Sequence, residues 1–272
     1  MARKKPVPDK ATDAEPSTRN VVAEARGKPR KAPASATMAQ NIKSVLWAVG
    51  LFLLLRIFLV QAFRIPSESM VPTLLVGDWL FVNKLVYGPR VPFTDIRLPG
   101  YSEPDRFEVV VFKSTYQADE AAIGQDPEPM LVKRLVGLPG DTVYMREGVL
   151  HVNGTAYPQG PEYAGNPVGE PNEVSPLFSW QLRYHVSGTR FGDPPERPTH
   201  DHWGPIHIPE GQYLMLGDNR YRSKDGRYWG LIPRENFAGR PLFVYYSWNA
   251  HSQMPLAGLR EIRWSRIGHR IR

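Results

Sequence analysis

The run VLWAVGLFLLLRIFLVQAF, from Val45 to Phe63, constrains this chain more than any other segment: it holds 19 residues and a single charge, Arg56. At ~1.5 Å per residue, a helix of that length reaches about 28 Å, close to the thickness of a bilayer's hydrocarbon core. A helix buried in a soluble core would usually carry a polar stripe, and this run has none. The magnitudes favour insertion. A central Arg costs ~2.5–3.5 kcal/mol on the insertion scale, whereas the 13 Val, Leu, Ile and Phe residues of the run return about 4–8 kcal/mol. Arg56 also lies past the midpoint, from where a guanidinium can snorkel towards the headgroups. The sequence therefore predicts a transmembrane anchor over 44–63.

Residues 1–43 are mostly Lys, Arg, Pro, Ala, Ser and Thr. Such a tail buries too little apolar surface to offset its ordering entropy, so it is expected to be disordered. Residues 1–44 carry ten Lys or Arg against four Asp or Glu, which puts the N-terminus in the cytoplasm and everything after Arg64 across the membrane. Val60-Gln61-Ala62 would pass as a small-residue cleavage pattern. The preceding tail and the apolar run are nevertheless both longer than a cleaved signal peptide has, so an uncleaved single-pass anchor is expected. From Arg64 onwards, 23 basic residues meet 23 acidic ones. A nucleic-acid-binding domain would keep its positive charge on the folded part, so no nucleic-acid partner is expected. With no Cys in the chain, disulfides, thiolate metal sites and a cysteine nucleophile are all excluded.

After the anchor the pattern becomes β. Short β-branched or aromatic runs occur at Trp79–Leu85, Phe107–Phe112, Met130–Val136, Val149–Val152, Tyr213–Leu216 and Leu242–Tyr246, punctuated by Gly, Pro and Asn. The expected fold is mainly β: a single N-terminal transmembrane helix, then an antiparallel β-sheet catalytic domain with an inserted second β-rich subdomain. Its core would comprise 64–142 and 210–259, with the insertion at 143–209. Residues 260–272 carry five Arg and one Glu, and either lie against anionic lipid or form a frayed, solvated tail.

Three polar segments could carry chemistry. Arg64-Ile65-Pro66-Ser67-Glu68-Ser69-Met70-Val71-Pro72-Thr73-Leu74 follows the anchor directly. Two Ser at i and i+2 of an extended chain point to one side, and Pro66 and Pro72 stiffen both flanks. A stiff loop suits a nucleophile that must be held at attacking distance. Such a serine needs a base. None of the seven His lies in a triad context such as Gly-x-Ser-x-Gly. The alternative is Lys133 in MLVKRLV, where period 2 places Leu131, Lys133 and Leu135 on one face. Leucines on its own face would desolvate the amine, lower its pKa and make it a competent general base. A snorkelling lysine on an edge strand is the plainer alternative. The third segment, Gly217 to Gly230, is a polar loop after an apolar strand. Its Ser223 could orient the amine, and Asp225 with Arg227 could hold the loop.

These segments resemble the signature boxes of bacterial type I signal peptidases, which are serine proteases with a Ser/Lys dyad. The resemblance rests on Ser67-Glu68-Ser69-Met70-Val71-Pro72-Thr73-Leu74 with Gly77-Asp78, on Lys133-Arg134-Leu135-Val136-Gly137-Leu138-Pro139-Gly140-Asp141, and on Gly217-Asp218-Asn219-Arg220 with Ser223-x-Asp225-x-Arg227-Tyr228-Trp229-Gly230, in that order behind an anchor. It spans about 44–239 and breaks over 143–209. By this resemblance Ser69 is the nucleophile and Lys133 the general base. Ser67 joins the Ser69 amide in the oxyanion hole, Ser223 orients the lysine, and Asp225, Arg227, Asp218 and Arg134 stand behind them. Neither metal nor cofactor is implied. The implied substrates are preproteins presented at the bacterial inner membrane, cut on its outer side after small residues at −1 and −3. There are departures: Glu68 replaces a frequent glycine, Glu108 a usual Asp, and Tyr221-Arg222 a usual Asp-Asn. Two rival readings remain. One is a metal-dependent hydrolase using His200-Asp201-His202 and His207; the other is an anchored β-sheet binding module without catalysis.

Overall fold

The protein is described here from a computed structural model, which covers residues 34–94, 96–157, 174–188 and 190–272. Its first element is the helix α1, Ala34–Leu54, which runs on as a π-helical turn over Leu55–Leu59. Within it, Met38–Leu59 is long and apolar enough to cross a membrane, and Leu46, Trp47, Leu51 and Phe52 are exposed. The helix departs from the predicted span at both ends. It starts inside the expected disordered tail because Ala34, Ala36, Met38, Ala39, Gln40 and Lys43 are strong helix formers. It stops at Leu59 because Val60–Arg64 is a strand, alternately exposed and half-buried and paired along its whole length. Residues 1–33 of the predicted tail lie outside the described residues.

Eleven strands occur among the described residues: β1 Val60–Arg64, β2 Asp78–Asn83, β3 Val109–Lys113, β4 Met130–Gly137, β5 Thr142–Arg146, β6 Val149–Val152, β7 Thr155–Tyr157, β8 Trp203–His207, β9 Gln212–Leu216, β10 Ile232–Pro233 and β11 Phe237–Ser247. Seven form one antiparallel sheet in the order β1-β2-β11-β3-β4-β9-β10, and four form a second in the order β7-β6-β5-β8. β11 is long enough to pair with β3 through Phe237–Gly239 and with β2 through Arg240–Ser247. Register shifts interrupt its pairing with β3 between Phe237 and Gly239, and with β2 near Phe243 and Tyr246.

The second sheet draws all its strands from 142–207, but it has no core of its own. Val143, Met145, Leu150, Trp203 and Ile206 share one buried cluster with Val136, Leu214, Leu216 and Leu231 of the first sheet and its edge. The expected inserted subdomain is thus a sheet packed into the same body, because each sheet has one apolar face and the two faces cover each other.

The C-terminal segment is not a frayed tail. The Ile271 amide donates to the Leu242 carbonyl at 3.2 Å, Ile271 packs against a core cluster, and Arg270 bridges Phe243. Arg266 reaches the fully buried carboxylate of Asp78 at 2.5 Å, and Ser247 donates to the same group at 2.6 Å. Composition alone made these arginines look solvated; a buried acid some 190 positions earlier in sequence recruits one of them.

Candidate active site

The Ser67–Leu74 loop is fixed from below. Met70 and Leu74 are wholly buried with Ile65, Leu80, Val82, Val109, Val111 and Val244. The Leu74 amide donates to the Met70 carbonyl at 2.8 Å, and the Val71 amide to the Glu68 carbonyl at 3.0 Å. Between the buried anchors and the exposed Ser67 sits Ser69, almost fully buried, with its hydroxyl 3.4 Å from that of Ser67.

Lys133 lies in the middle of β4, paired with Val110 of β3. Its alternation falls as expected, with Leu131 and Leu135 on one buried cluster while Val132 and Val136 serve others. Only 3% of Lys133 is exposed, and its Nζ lies 2.5 Å from Ser69 Oγ. Burial pulls its pKa from an ordinary 10.5 down to about 8. The Asp225 charge opposes that shift, Arg227 adds to it, and Asp218 opposes it. The lysine does not snorkel, because a strand with neighbours on both sides gives the amine no path to water. A pocket of about 70 Å³ opens beside the pair, lined by Ile65, Ser67, Leu80, Val111, Met130, Val132 and Lys133 among others.

The 217–230 loop closes the site from behind. The Asn219 amide donates to the Ser69 carbonyl at 3.1 Å. Gly217 is required there, since a Cβ at 217 would collide with Ser223 and come within 2.6 Å of the Ser69 carbonyl oxygen. Asp225 accepts from the Gly217 amide at 2.9 Å and is held bidentately by Arg227, whose Nη2 also donates to the Arg220 carbonyl. Both side chains are buried, and each shifts towards its charged form: the Arg227 charge holds Asp225 down, and the Asp225 charge holds Arg227 up, against burial in each case. The Ser223 hydroxyl is buried and, among the described residues, has no hydrogen-bond partner. It packs closely against Gly217, and the Lys133 amine is engaged by Ser69.

A buried ion pair stitches the three segments together, a role the spacing of the motifs did not reveal. Arg134 donates to Asp218 through Nε and Nη2, both at 2.7 Å, and the Thr73 hydroxyl donates to Asp218 at 2.5 Å. Arg134 also reaches the carbonyls of Phe107 and Arg272. Removing one partner would leave the other buried and uncompensated. Arg134→Met is expected to cost about 3–5 kcal/mol, seen as a lowered melting temperature of the full chain. Unchanged melting would mean that the pair braces nothing.

The departures find partners. The Tyr221 hydroxyl bonds both Asp201 oxygens at 2.9 Å, and its ring tilts against His200. Glu108 ion-pairs with Arg240, while Glu68 lies 3.7 Å from both Arg222 and His251. The residues of the metal reading are used otherwise. His200 is buried, with Nδ1 on Asp201 and Nε2 between the Arg220 carbonyl and Arg227, while His207 points outward on β8. Among the described residues, no group of three His, Asp or Glu side chains is placed to hold a metal ion. Where the rival metal reading would need a chelating pair, His200 instead bonds Asp201, the Arg220 carbonyl and Arg227.

Residues 38–248 match the family described as "Signal peptidase, peptidase S26". The chain belongs to that family. It is 37% identical over 224 residues to signal peptidase I of Pseudomonas aeruginosa, covering 76% of this chain and 72% of that one. It is 35% identical to signal peptidase I of Pseudomonas fluorescens, with the same coverage, and 32% identical to a probable signal peptidase I-2 of Synechocystis, covering 84% and 82%. As a family S26 signal peptidase it is a serine peptidase, a hydrolase that removes signal peptides from preproteins. Membership in a peptidase family disposes of the binding-module reading.

Proposed function

We propose that this signal peptidase works through a Ser69/Lys133 dyad at the outer face of a bacterial inner membrane, held there by one span ending at Leu59. The observation that carries the dyad is the 2.5 Å contact between Lys133 Nζ and Ser69 Oγ inside a buried site. In the neutral amine the Ser69 hydroxyl donates to the Nζ lone pair. As Oγ bonds to the scissile carbonyl carbon its proton passes to Nζ, and the carbonyl oxygen becomes an oxyanion. The ammonium then gives that proton to the departing amine as the C–N bond breaks. Water attacks the acyl-enzyme carbonyl and gives a proton to Nζ; the bond from Oγ to the acyl carbon then breaks, and Oγ takes that proton from Nζ, which restores Ser69. Asp225, Arg227, Asp218 and Arg134 act as positioning residues, since none of them reaches the reacting atoms.

Ser67 and the Ser69 amide are assigned to the oxyanion. Ser67→Ala should leave a folded enzyme slower by about 10²–10³ in kcat, the usual cost of one oxyanion donor. An unchanged rate would reduce Ser67 to a turn residue. A pocket of about 70 Å³ walled by Ile65, Leu80 and Val132 supports small residues on the acyl side of the cut. The exposed apolar helix and the basic N-terminal sequence support the span and its orientation. The experiment that tests this reading is cleavage of a preprotein in detergent by wild type, Ser69→Ala and Lys133→Met. Residual cleavage at the wild-type rate in either variant contradicts it.

A further inference from the structure

A second cavity, of about 230 Å³, has no part in this chemistry. Gln61, Lys84, Arg90, Arg97, Lys113 and Phe237 contribute to its walls. The two arginines are brought together by a short hairpin: Arg90 bridges Arg97, the Val91 amide donates to the Ile96 carbonyl at 2.9 Å, and the Leu98 amide to the Pro89 carbonyl at 3.0 Å. Arg97 spends its donors on the carbonyls of Tyr87, Gly88, Phe237 and Glu235, and Arg90 on that of Glu235. Carbonyls place a guanidinium but do not neutralise it. Among the described residues no carboxylate pairs with Lys84, Arg90 or Arg97, whereas Lys113 has Glu128 at 2.6 Å. Among the described residues, Glu235 is the one acid in the wall, against Lys84, Arg90, Arg97 and Lys113. Burial, then the charges of Arg90 and Arg234, push the Arg97 pKa down, with Glu235 opposing.

Its position in the chain is equally specific. Lys84 Nζ donates to the Ile57 carbonyl at 2.5 Å, and the Lys84 amide to the Leu59 carbonyl at 2.9 Å, so this cation caps the last turn of the apolar helix. Gln61 follows Leu59 by two residues. At the tip of the hairpin, Phe93 and Ile96 stand fully or largely exposed, and Leu98 and Leu85 are exposed as well. Apolar side chains at a tip, with unmatched cations behind them at the end of a membrane-length helix, match the layering of acyl chains beneath phosphates.

We propose that this cavity binds the phosphodiester headgroup of an anionic phospholipid, with Lys84 and Arg90 on the phosphate, the Arg97 charge behind them, and Phe93 and Ile96 in the acyl boundary. The inference rests on the reading that the helix spans the bilayer. Met130 lines both this cavity and the pocket beside Ser69, so a bound headgroup would border the path of the peptide.

The test uses the full chain in detergent, titrated with dioctanoyl phosphatidylglycerol and followed by native mass spectrometry. Lys84→Gln and Arg90→Gln should each weaken binding roughly fivefold and together roughly 25-fold. Dioctanoyl phosphatidylcholine should bind more weakly and not respond to the substitutions. Inorganic phosphate should displace phosphatidylglycerol only in large excess. If Lys84→Gln does not fold, Arg90→Gln carries the test, since Arg90 is exposed and makes a single bond. Wild-type phosphatidylglycerol binding by the variants overturns the proposal. Displacement by equimolar phosphate overturns it in favour of a free-anion site, and lost cleavage of a soluble peptide in lipid-free detergent overturns it in favour of a substrate subsite. Flotation of the full chain with vesicles reads the anchoring separately: a chain that fails to float contradicts the span, and one that floats with unaltered lipid binding contradicts the headgroup site alone.

Discussion

Ser69→Ala should abolish preprotein cleavage and leave the fold intact. The substitution removes one oxygen, whose hydrogen bonds run to Lys133 and Ser67, and takes nothing from the buried Met70 and Leu74 that hold the loop. The loss should be on the order of 10⁶ in kcat, as follows when a nucleophile is deleted from a group of residues that act only together. The residual rate would come from the oxyanion site and substrate binding. Intact-protein mass after incubation with an acylating inhibitor gives an independent reading: wild type should gain one acyl group and the variant none. A variant that still cleaves at near the wild-type rate, or still acylates, would remove Ser69 from the mechanism.

Lys133→Met should be as inactive, on the order of 10⁵–10⁶ in kcat, because base and nucleophile fail as one unit. Its stability should be unchanged or higher. Methionine fills a similar volume between Leu131 and Leu135, and the protein no longer holds an amine away from water. This pairing of lost activity with kept stability separates a base from a structural lysine. If the variant melts far below wild type, the amine is holding the sheet together; if it cleaves, the base lies elsewhere.

Much of this site could be read from the residue pattern. The two-residue alternation around Lys133 foretold leucines on its own face, and the strand's central place in the sheet turns that face into a desolvated one. Ser67 and Ser69 announced themselves through their flanking prolines. The helix boundaries were harder to see. An unbroken apolar run does not show where a helix yields to a strand, and only pairing with β2 assigns Val60–Arg64 to the sheet. Long-range polar partners were hidden as well. Arg266 finds Asp78, and Tyr221 finds Asp201, through contacts that no local spacing encodes. His200 looked like half of a chelating pair because adjacent-but-one histidines share a strand face, yet it lies in a loop where Arg227 and Asp201 occupy its nitrogens.

The central claim is that a neutral Lys133 accepts the proton of Ser69, and the pH profile of kcat/KM tests it most directly. The active form is the deprotonated one, so activity rises with pH and is lost as pH falls through the folded pKa of the lysine. Burial lowers that pKa to about 8. Roughly a tenth of the enzyme is then ready at pH 7, against roughly 0.03% for an ordinary lysine. The acid limb should therefore bend near pH 8, fall about tenfold per unit below it, and persist when each of the seven His is replaced by Gln in turn. A limb that bends near 6–7 and vanishes in one of those His variants would contradict the Ser/Lys mechanism.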